Sequence, residues 1–123
     1  MDLATKKELM KTACNVRMGV IEAVFSAKSG HPGGSLSISD LLTYLYFKEM
    51  KVDPKNPKCP DRDRLVLSKG HTAPGLYSVL AQKGYFPVDE LKGLRQIGRI
   101  LQGHPDMKTI PGVDMSSGSL GQG

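Results

Sequence analysis

Residues 64–71 read Arg64-Leu65-Val66-Leu67-Ser68-Lys69-Gly70-His71, and this stretch decides the fold class that the sequence predicts. Its apolar run has no polar alternation, which is typical of a strand buried on both faces of a parallel sheet. We therefore predict a buried parallel-type strand over about residues 64–68 and an α/β fold class. His71 follows the carboxyl end of that strand, which is the edge at which open α/β sheets bind ligands.

Helical patterns on both sides of the strand predict a chain that is mostly helical. The first helix is predicted over about Leu3–Ala27, with an apolar stripe at three- and four-residue spacing that comprises Met10, Cys14, Met18 or Arg17, Ile21 and Phe25. Three further helices are predicted from residues that typically begin or end helices. The first is capped by Ser35 or Ser37, and the others cover about Thr72–Lys83 and about Pro87–Gly98.

A single strand among helices is a physical problem, because the N–H and C=O groups along both of its edges would stay unpaired. Two alternatives follow: the chain is all-helical and the strand prediction is wrong, or the remainder of its sheet is absent. The sequence ends on Gly121-Gln122-Gly123, inside a glycine-rich motif. We therefore expect the second alternative, in which residues 1–123 form one incomplete domain.

Composition narrows the range of functions. The 123 residues include 17 Lys and Arg against 12 Asp and Glu, for a net charge of +5, but the basic residues are scattered among acidic ones. This pattern argues against nucleic-acid binding and suits small anionic substrates. No stretch is apolar enough to span a membrane, and Met1–Lys11 lacks the apolar core of a secretory signal. Cys14 and Cys59 have no paired spacing, which favours reduced thiols and a cytoplasmic location.

All three histidines follow a glycine, in Gly30-His31-Pro32, Gly70-His71-Thr72 and Gly103-His104-Pro105. Glycine and proline place them on sharp loops, from which an imidazole can be aimed into a cleft to move protons near neutral pH. Their wide separation along the chain argues against a zinc site. The segment Gly118–Gly123 resembles a phosphate-cradling loop but lacks the Lys-Ser/Thr ending of a P-loop, so a flexible tail is the alternative.

Four segments, taken in this order, resemble the amino-terminal part of transketolases, which depend on thiamine diphosphate. They are Ser29–Gly34, Asp61–His71, Gly103–Asp106 and Gly118–Gly123. The likeness extends over nearly the whole chain and implies an incomplete thiamine diphosphate-binding domain. Deoxyxylulose-phosphate synthases share the His-Pro-Gly-Gly element, but they match the other segments less well.

The resemblance implies a role for each histidine. His31 matches a family histidine that faces the sugar and moves protons at its hydroxyls, and His104 matches one near the C1 hydroxyl of the donor. His71 matches a histidine that contacts the diphosphate of the cofactor. The residues that match the backbone holding the aminopyrimidine are Gly118, Ser119 and Leu120.

The implied reaction is the transfer of a two-carbon ketol unit from a ketose phosphate to an aldose phosphate. The resemblance implies Mg²⁺ or Ca²⁺ as a second cofactor, with ligands beyond Gly123, and we assign no metal ligand to this chain. We expect a second subunit or a carboxy-terminal transketolase chain to complete the site, so the chain alone is expected to be inactive. Two mild departures from the family pattern are Lys69, where family members often have Asn, and Ser119, where they often have Pro. The alternatives are a deoxyxylulose-phosphate-synthase-like thiamine enzyme and a non-catalytic helical binding module.

Overall fold

A computed structural model describes residues 1–121 of the chain, which form three α-helices joined by helical turns and irregular loops. The α-helices are α1 (Leu3–Ala27), α2 (Pro32–Tyr44) and α3 (Ala73–Lys83). The shorter elements are a π-helical turn that extends α2 (Leu45–Glu49), a 3₁₀ turn that leads into α3 (Gly70–Thr72) and a 3₁₀ helix (Val88–Gly93). In this part of the chain, no helix combines the length and the apolar character that crossing a membrane requires.

The third helix lies at the centre of the core because it is apolar on all sides. Every residue from Ala73 to Ala81 is buried, as expected for a helix without a polar face. Both α1 and α2 pack against α3, and so does the Val88–Gly93 helix. This buried stretch carries two hydroxyls, those of Tyr77 and Ser78. The Ser78 hydroxyl donates to the Val16 carbonyl of α1 at 2.7 Å. The predicted helix over about Thr72–Lys83 is thus confirmed.

The first helix has the predicted bounds but buries the opposite face from the predicted one. The exposed side chains include Met10, Met18, Ile21 and Phe25, which are 51–81% accessible. The buried side chains are small: Ala13, Val16, Gly19, Val20 and Ala23. A Cβ at Gly19 would fall on Ser78 Oγ and 3.0 Å from Leu91 Cδ1, so the absent side chain lets α1 approach α3 closely. Close packing of small residues, rather than the larger apolar stripe, orients this helix.

The strand predicted over residues 64–68 is wrong, because residues 1–121 contain no β-strand. The segment is irregular, and Val66 is 59% exposed while Leu67 is buried. The Leu65 N–H donates to a carboxylate oxygen of Asp114 at 2.9 Å instead of to a neighbouring strand. So short an apolar run carries no periodicity that separates a strand from an extended loop. The predicted α/β class is therefore wrong for residues 1–121, which are mostly helical.

Two other helix predictions need correction. The helix predicted over about Pro87–Gly98 is the shorter 3₁₀ helix Val88–Gly93, and Arg95 beyond it has a φ of +62°, which is incompatible with continuing the helix. The second helix begins at Pro32 rather than at a serine cap. Proline suits the first helical position because its φ is already helical and no N–H is needed there.

Candidate functional site

His31 and His71 lie side by side, although they come from different loops. Their ring centroids are 5.1 Å apart and their planes meet at 79°, which is an edge-to-face arrangement. His31 is exposed at the start of α2, and His71 is half-buried in the 3₁₀ turn before α3. The contact shows that these two loops meet.

The contact between the two histidines depends on small residues at the start of α2 and α3. A Cβ at Gly34 would fall on Thr72 Cγ2, and a Cβ at Gly75 would lie 3.2 Å from the Ser35 backbone. The buried Ser35 hydroxyl also donates to the Thr72 carbonyl at 3.2 Å. Because only small side chains fit at these positions, the two helix starts pack backbone against backbone and carry the histidines together.

A second close approach joins the His71 loop to the glycine-rich segment near residue 118. A Cβ at Gly70 would lie 2.8 Å from the Gly118 backbone nitrogen, so the two main chains touch. Gly118 has a φ of +145°, and a Cβ there would lie 2.8 Å from His104 Cδ2. Both positions therefore require glycine, and the contacts run from His71 through Gly70 and Gly118 to His104.

The loop that carries His104 is held by Asp106, a residue for which the sequence patterns indicated no role. One carboxylate oxygen accepts the Lys108 N–H at 2.9 Å, and the other accepts the Thr109 hydroxyl at 3.1 Å. These bonds, first of all the one from the Lys108 backbone, lower the pKa of Asp106 below its usual value. An aspartate that bonds the backbone two residues on is an Asx turn, a signal that the sequence already contained.

Two further bonds fix the ends of the His104 loop. The Ser117 N–H donates to the Pro105 carbonyl at 3.3 Å, which ties the loop to the glycine-rich segment. The Tyr77 hydroxyl of α3 donates to the Gln102 carbonyl at 2.7 Å. Burial raises the pKa of Tyr77, so the phenol keeps the proton that makes this bond. The core helix thus anchors the loop directly.

His104 borders an open cavity of about 560 Å³, whose other lining residues are Val66, Ser68, Ser116, Ser117, Gly118 and Ser119. The structure therefore brings His104 together with Gly118 and Ser119. It does not place Leu120 in this lining, and the Leu120 side chain is 61% exposed. The end of the predicted glycine motif, residues 122 and 123, lies outside the described residues. Four of the seven lining residues are serines and one is a histidine, so the cavity offers polar side chains to a ligand.

Two buried polar atoms in these loops have no hydrogen-bond partner among the described residues. They are His71 Nδ1 and Ser117 Oγ. A buried polar atom left without a partner costs about 1–3 kcal/mol, so such atoms mark places where a ligand completes the bonding. Both atoms belong to the segments that meet at Gly70, and they fit a cofactor that presents phosphate or ring-nitrogen groups.

Comparison with known proteins identifies the family. Residues 8–123 match the family model described as transketolase, thiamine diphosphate binding domain. The chain belongs to this family. The family match establishes a thiamine diphosphate-binding domain and confirms the resemblance of the four ordered segments.

The similar proteins are transketolases and transketolase subunits. The chain is 51% identical over 116 residues to the 6-deoxy-6-sulfo-D-fructose transketolase subunit SqwG of Clostridium sp. (strain MSTE9), covering 94% of this chain and 42% of that one. It is 44% identical to an apulose-4-phosphate transketolase subunit of Phocaeicola vulgatus, covering 87% of this chain and 38% of that one. The solved transketolase of Leishmania mexicana superposes with a TM-score of 0.88 at 38% identity, over 94% of this chain and 17% of that one.

The relatives and the solved structure are much longer than this chain. The chain spans less than half the length of each of these relatives, so the similarity concerns one part of a transketolase. The superposition confirms a mostly helical fold of the transketolase amino-terminal type. The alternative of a deoxyxylulose-phosphate synthase finds no support among the named relatives.

Proposed function

We propose that residues 1–123 form an incomplete thiamine diphosphate-binding domain that serves a transketolase. The reaction transfers a two-carbon ketol unit from a ketose phosphate to an aldose phosphate. The observation that carries this proposal is the series of contacts from His31 to His71, and from Gly70 through Gly118 to His104. It gathers all three histidines and the glycine-rich segment of the chain in one region.

We assign cofactor binding to His71 and to the main chain of residues 118–120. The unpartnered Nδ1 of His71 is available to bond the diphosphate, and Gly118, Ser119 and Leu120 present backbone groups to the aminopyrimidine. When bound, thiamine diphosphate supplies the electron sink that no protein side chain offers for cleavage of a carbon–carbon bond next to a carbonyl. The chain's part is to bind this group and orient it.

We assign proton transfer at the sugar hydroxyls to His31 and His104. Both imidazoles are exposed, so a bound sugar can reach them. A neutral imidazole donates from one nitrogen and accepts at the other, which allows it to give or take a proton at a hydroxyl near neutral pH. Both histidines stand on loops fixed by backbone packing, as proton transfer over hydrogen-bond distance requires.

The proposal includes components that this chain does not provide. Among residues 1–121 no group of three or more His, Cys, Asp or Glu side chains is arranged to hold a metal ion. We place the ligands of a Mg²⁺ or Ca²⁺ ion beyond Gly123, and we infer a second subunit or a carboxy-terminal transketolase chain that completes the site. The names of two relatives as subunits support such a partner. We further propose that the protein is cytoplasmic.

A sulfonated sugar is a second candidate for the donor. The relative that shares 51% identity is named for 6-deoxy-6-sulfo-D-fructose. Sulfonate and phosphate groups are both anionic, and the net charge of +5 suits either. A competition assay between fructose 6-phosphate and its 6-sulfo analogue separates the two donors, because the preferred donor has the higher kcat/KM.

The direct test combines this chain with the transketolase polypeptides that complete the site, including those that supply the metal ligands, and adds thiamine diphosphate, Mg²⁺, a donor ketose and an acceptor aldose. We expect ketol transfer that depends on the cofactor and falls about 100-fold or more in His31→Asn. The control is Lys55→Met, because Lys55 is exposed and its side chain makes no hydrogen bond or ion pair to another described residue. Absence of transfer with a partner that binds the chain would contradict the proposal.

A further inference from the structure

Lys69 joins the two loops that carry His31 and His71. Its ammonium Nζ donates to the Gly34 carbonyl at 2.8 Å and lies 3.4 Å from Ser37 Oγ, both in the first part of α2. The side chain is half-buried, and it forms no ion pair with a carboxylate within residues 1–121. The Lys69 ammonium therefore bonds to neutral oxygen atoms of α2 and not to a carboxylate.

The position of Lys69 along the chain places this bond next to both histidines. Lys69 stands two residues before His71, and its acceptor Gly34 stands three residues after His31. The bond therefore links the two histidine loops close to both imidazoles. The centroids of the imidazole rings are 5.1 Å apart. Without the ammonium, the Lys69–His71 turn is held to α2 through Thr72, which packs against Gly34 and accepts the Ser35 hydroxyl at its carbonyl.

We propose that Lys69 is a positioning residue that holds His31 against His71. This inference deepens the proposed function, on which its consequence for cofactor binding rests. The length of the lysine side chain matters here, because its ammonium reaches the Gly34 carbonyl at 2.8 Å from a residue that lies outside α2. Displacing His71 would move the unpartnered Nδ1 that we assign to the diphosphate, so cofactor affinity should follow the contact between the imidazoles.

The first experiment is independent of any catalytic activity. In the chain with ¹⁵N-labelled histidine, we expect nuclear Overhauser effects between the ring protons of His31 and His71. These should be lost in Lys69→Met and retained in Lys69→Arg, which keeps the charged donor. The matched control is Lys55→Met, which should change neither imidazole. Far-UV circular dichroism checks that each variant is folded.

The second experiment measures thiamine diphosphate binding by calorimetry in the presence of Mg²⁺ and the complementing subunit. We expect about tenfold weaker binding in Lys69→Met and partial rescue in Lys69→Arg, as for the loss of one hydrogen bond from a charged donor. Ring contacts that persist unchanged in folded Lys69→Met would overturn the positioning role. Ring contacts that depend on Lys69, in a chain that does not bind thiamine diphosphate at all, would support that role and contradict the proposed function instead.

Discussion

At the scale of single residues, glycines determine how closely the site's loops approach one another. Gly33 and Gly34 are neighbours in the first turn of α2, but only Gly34 faces Thr72, and a Cβ at Gly33 would meet nothing within 4 Å. The two positions therefore differ in packing while sharing the same local sequence. This pair isolates the effect of close backbone packing from the effect of glycine on helix propensity.

We predict that Gly34→Ala destabilises the chain by about 1–3 kcal/mol, because the new methyl overpacks against Thr72. Gly33→Ala should be neutral or stabilising by up to about 1 kcal/mol, since it only restricts the unfolded chain. Urea unfolding followed by circular dichroism gives both values. Equal effects from the two substitutions would show that α2 does not touch the Gly70–Thr72 turn at Gly34.

Asp106 makes the His104 loop sensitive to acid. The pKa of Asp106 lies below its usual 3.8, chiefly because the carboxylate accepts the Lys108 backbone N–H. A lowered pKa in the folded state means that the stabilisation is present above the unfolded value and is lost as the pH falls through the folded value. We therefore expect the loop to loosen below pH 3.8 and not between neutral pH and that value.

The measurement is the pH dependence of the Lys108 and Ser117 amide chemical shifts. Both amides should follow one titration, at a pKa below the usual value for aspartate. Asp106→Asn should remove this titration, since an amide oxygen still accepts hydrogen bonds but does not titrate in this range. A titration that survives in Asp106→Asn would assign the pH dependence to another group.

The sequence predicted that the three histidines follow sharp turns, but it could not give the contacts between them. Gly-His loops predict aimed imidazoles, and the resemblance to transketolases assigned His31, His71 and His104 to one site. The contact of Gly70 with Gly118 depends on the tertiary path of the chain, which no local pattern encodes. The bond from Lys69 to Gly34 has the same origin, so the sequence marked Lys69 only as a departure from the family.

At the scale of elements, α1 shows how a periodicity argument can select the wrong face. The larger apolar side chains, such as Ile21 and Phe25, predicted the buried stripe, but the structure buries Val16, Val20 and Ala23. Hydrophobicity ranks large side chains above small ones, whereas close helix packing against α3 requires small ones at Gly19 and its neighbours. The existence and bounds of α1 were nevertheless correct.

We predict that truncating two adjacent side chains of α1 lowers the free energy of unfolding by very different amounts. Val20→Ala should lower the free energy of unfolding by about 2 kcal/mol, because Val20 is 0% exposed and its loss leaves a cavity. Ile21→Ala should change it by less than about 0.5 kcal/mol, because Ile21 is 51% exposed. Chemical unfolding of both variants decides the matter, and a larger loss from Ile21→Ala would favour the face that the apolar stripe predicts.

The conformation of the segment 64–68 could not be predicted from its local sequence pattern. An apolar run looks the same in a buried strand and in an extended loop, and the choice depends on which groups pair with its backbone. Here the Leu65 N–H is paired by Asp114, and Asp114 is itself held by Arg62 at 2.9 Å. That carboxylate lies far along the sequence, so no pattern within the run could have indicated it.

At the scale of the whole molecule, four segments of the chain, which carry His31, His71, His104 and Gly118, meet in one region. The His31–His71 pair, the Gly70–Gly118 contact and the His104 loop are held by packing against α3 and by bonds within the described residues. The chain belongs to a family of thiamine diphosphate-binding domains, and this membership supports our proposal that the region binds the cofactor. The two relatives that are named as subunits are each more than twice as long as this chain.

The most direct test of this convergence is a titration of the ¹⁵N-histidine-labelled chain with thiamine diphosphate, with Mg²⁺ and the complementing subunit present, followed by NMR of the three imidazoles. We predict that His31, His71 and His104 shift together along one binding curve, and that all three follow the same dissociation constant. Shifts confined to one histidine, or different curves for the three, would show that these loops do not form one cofactor site.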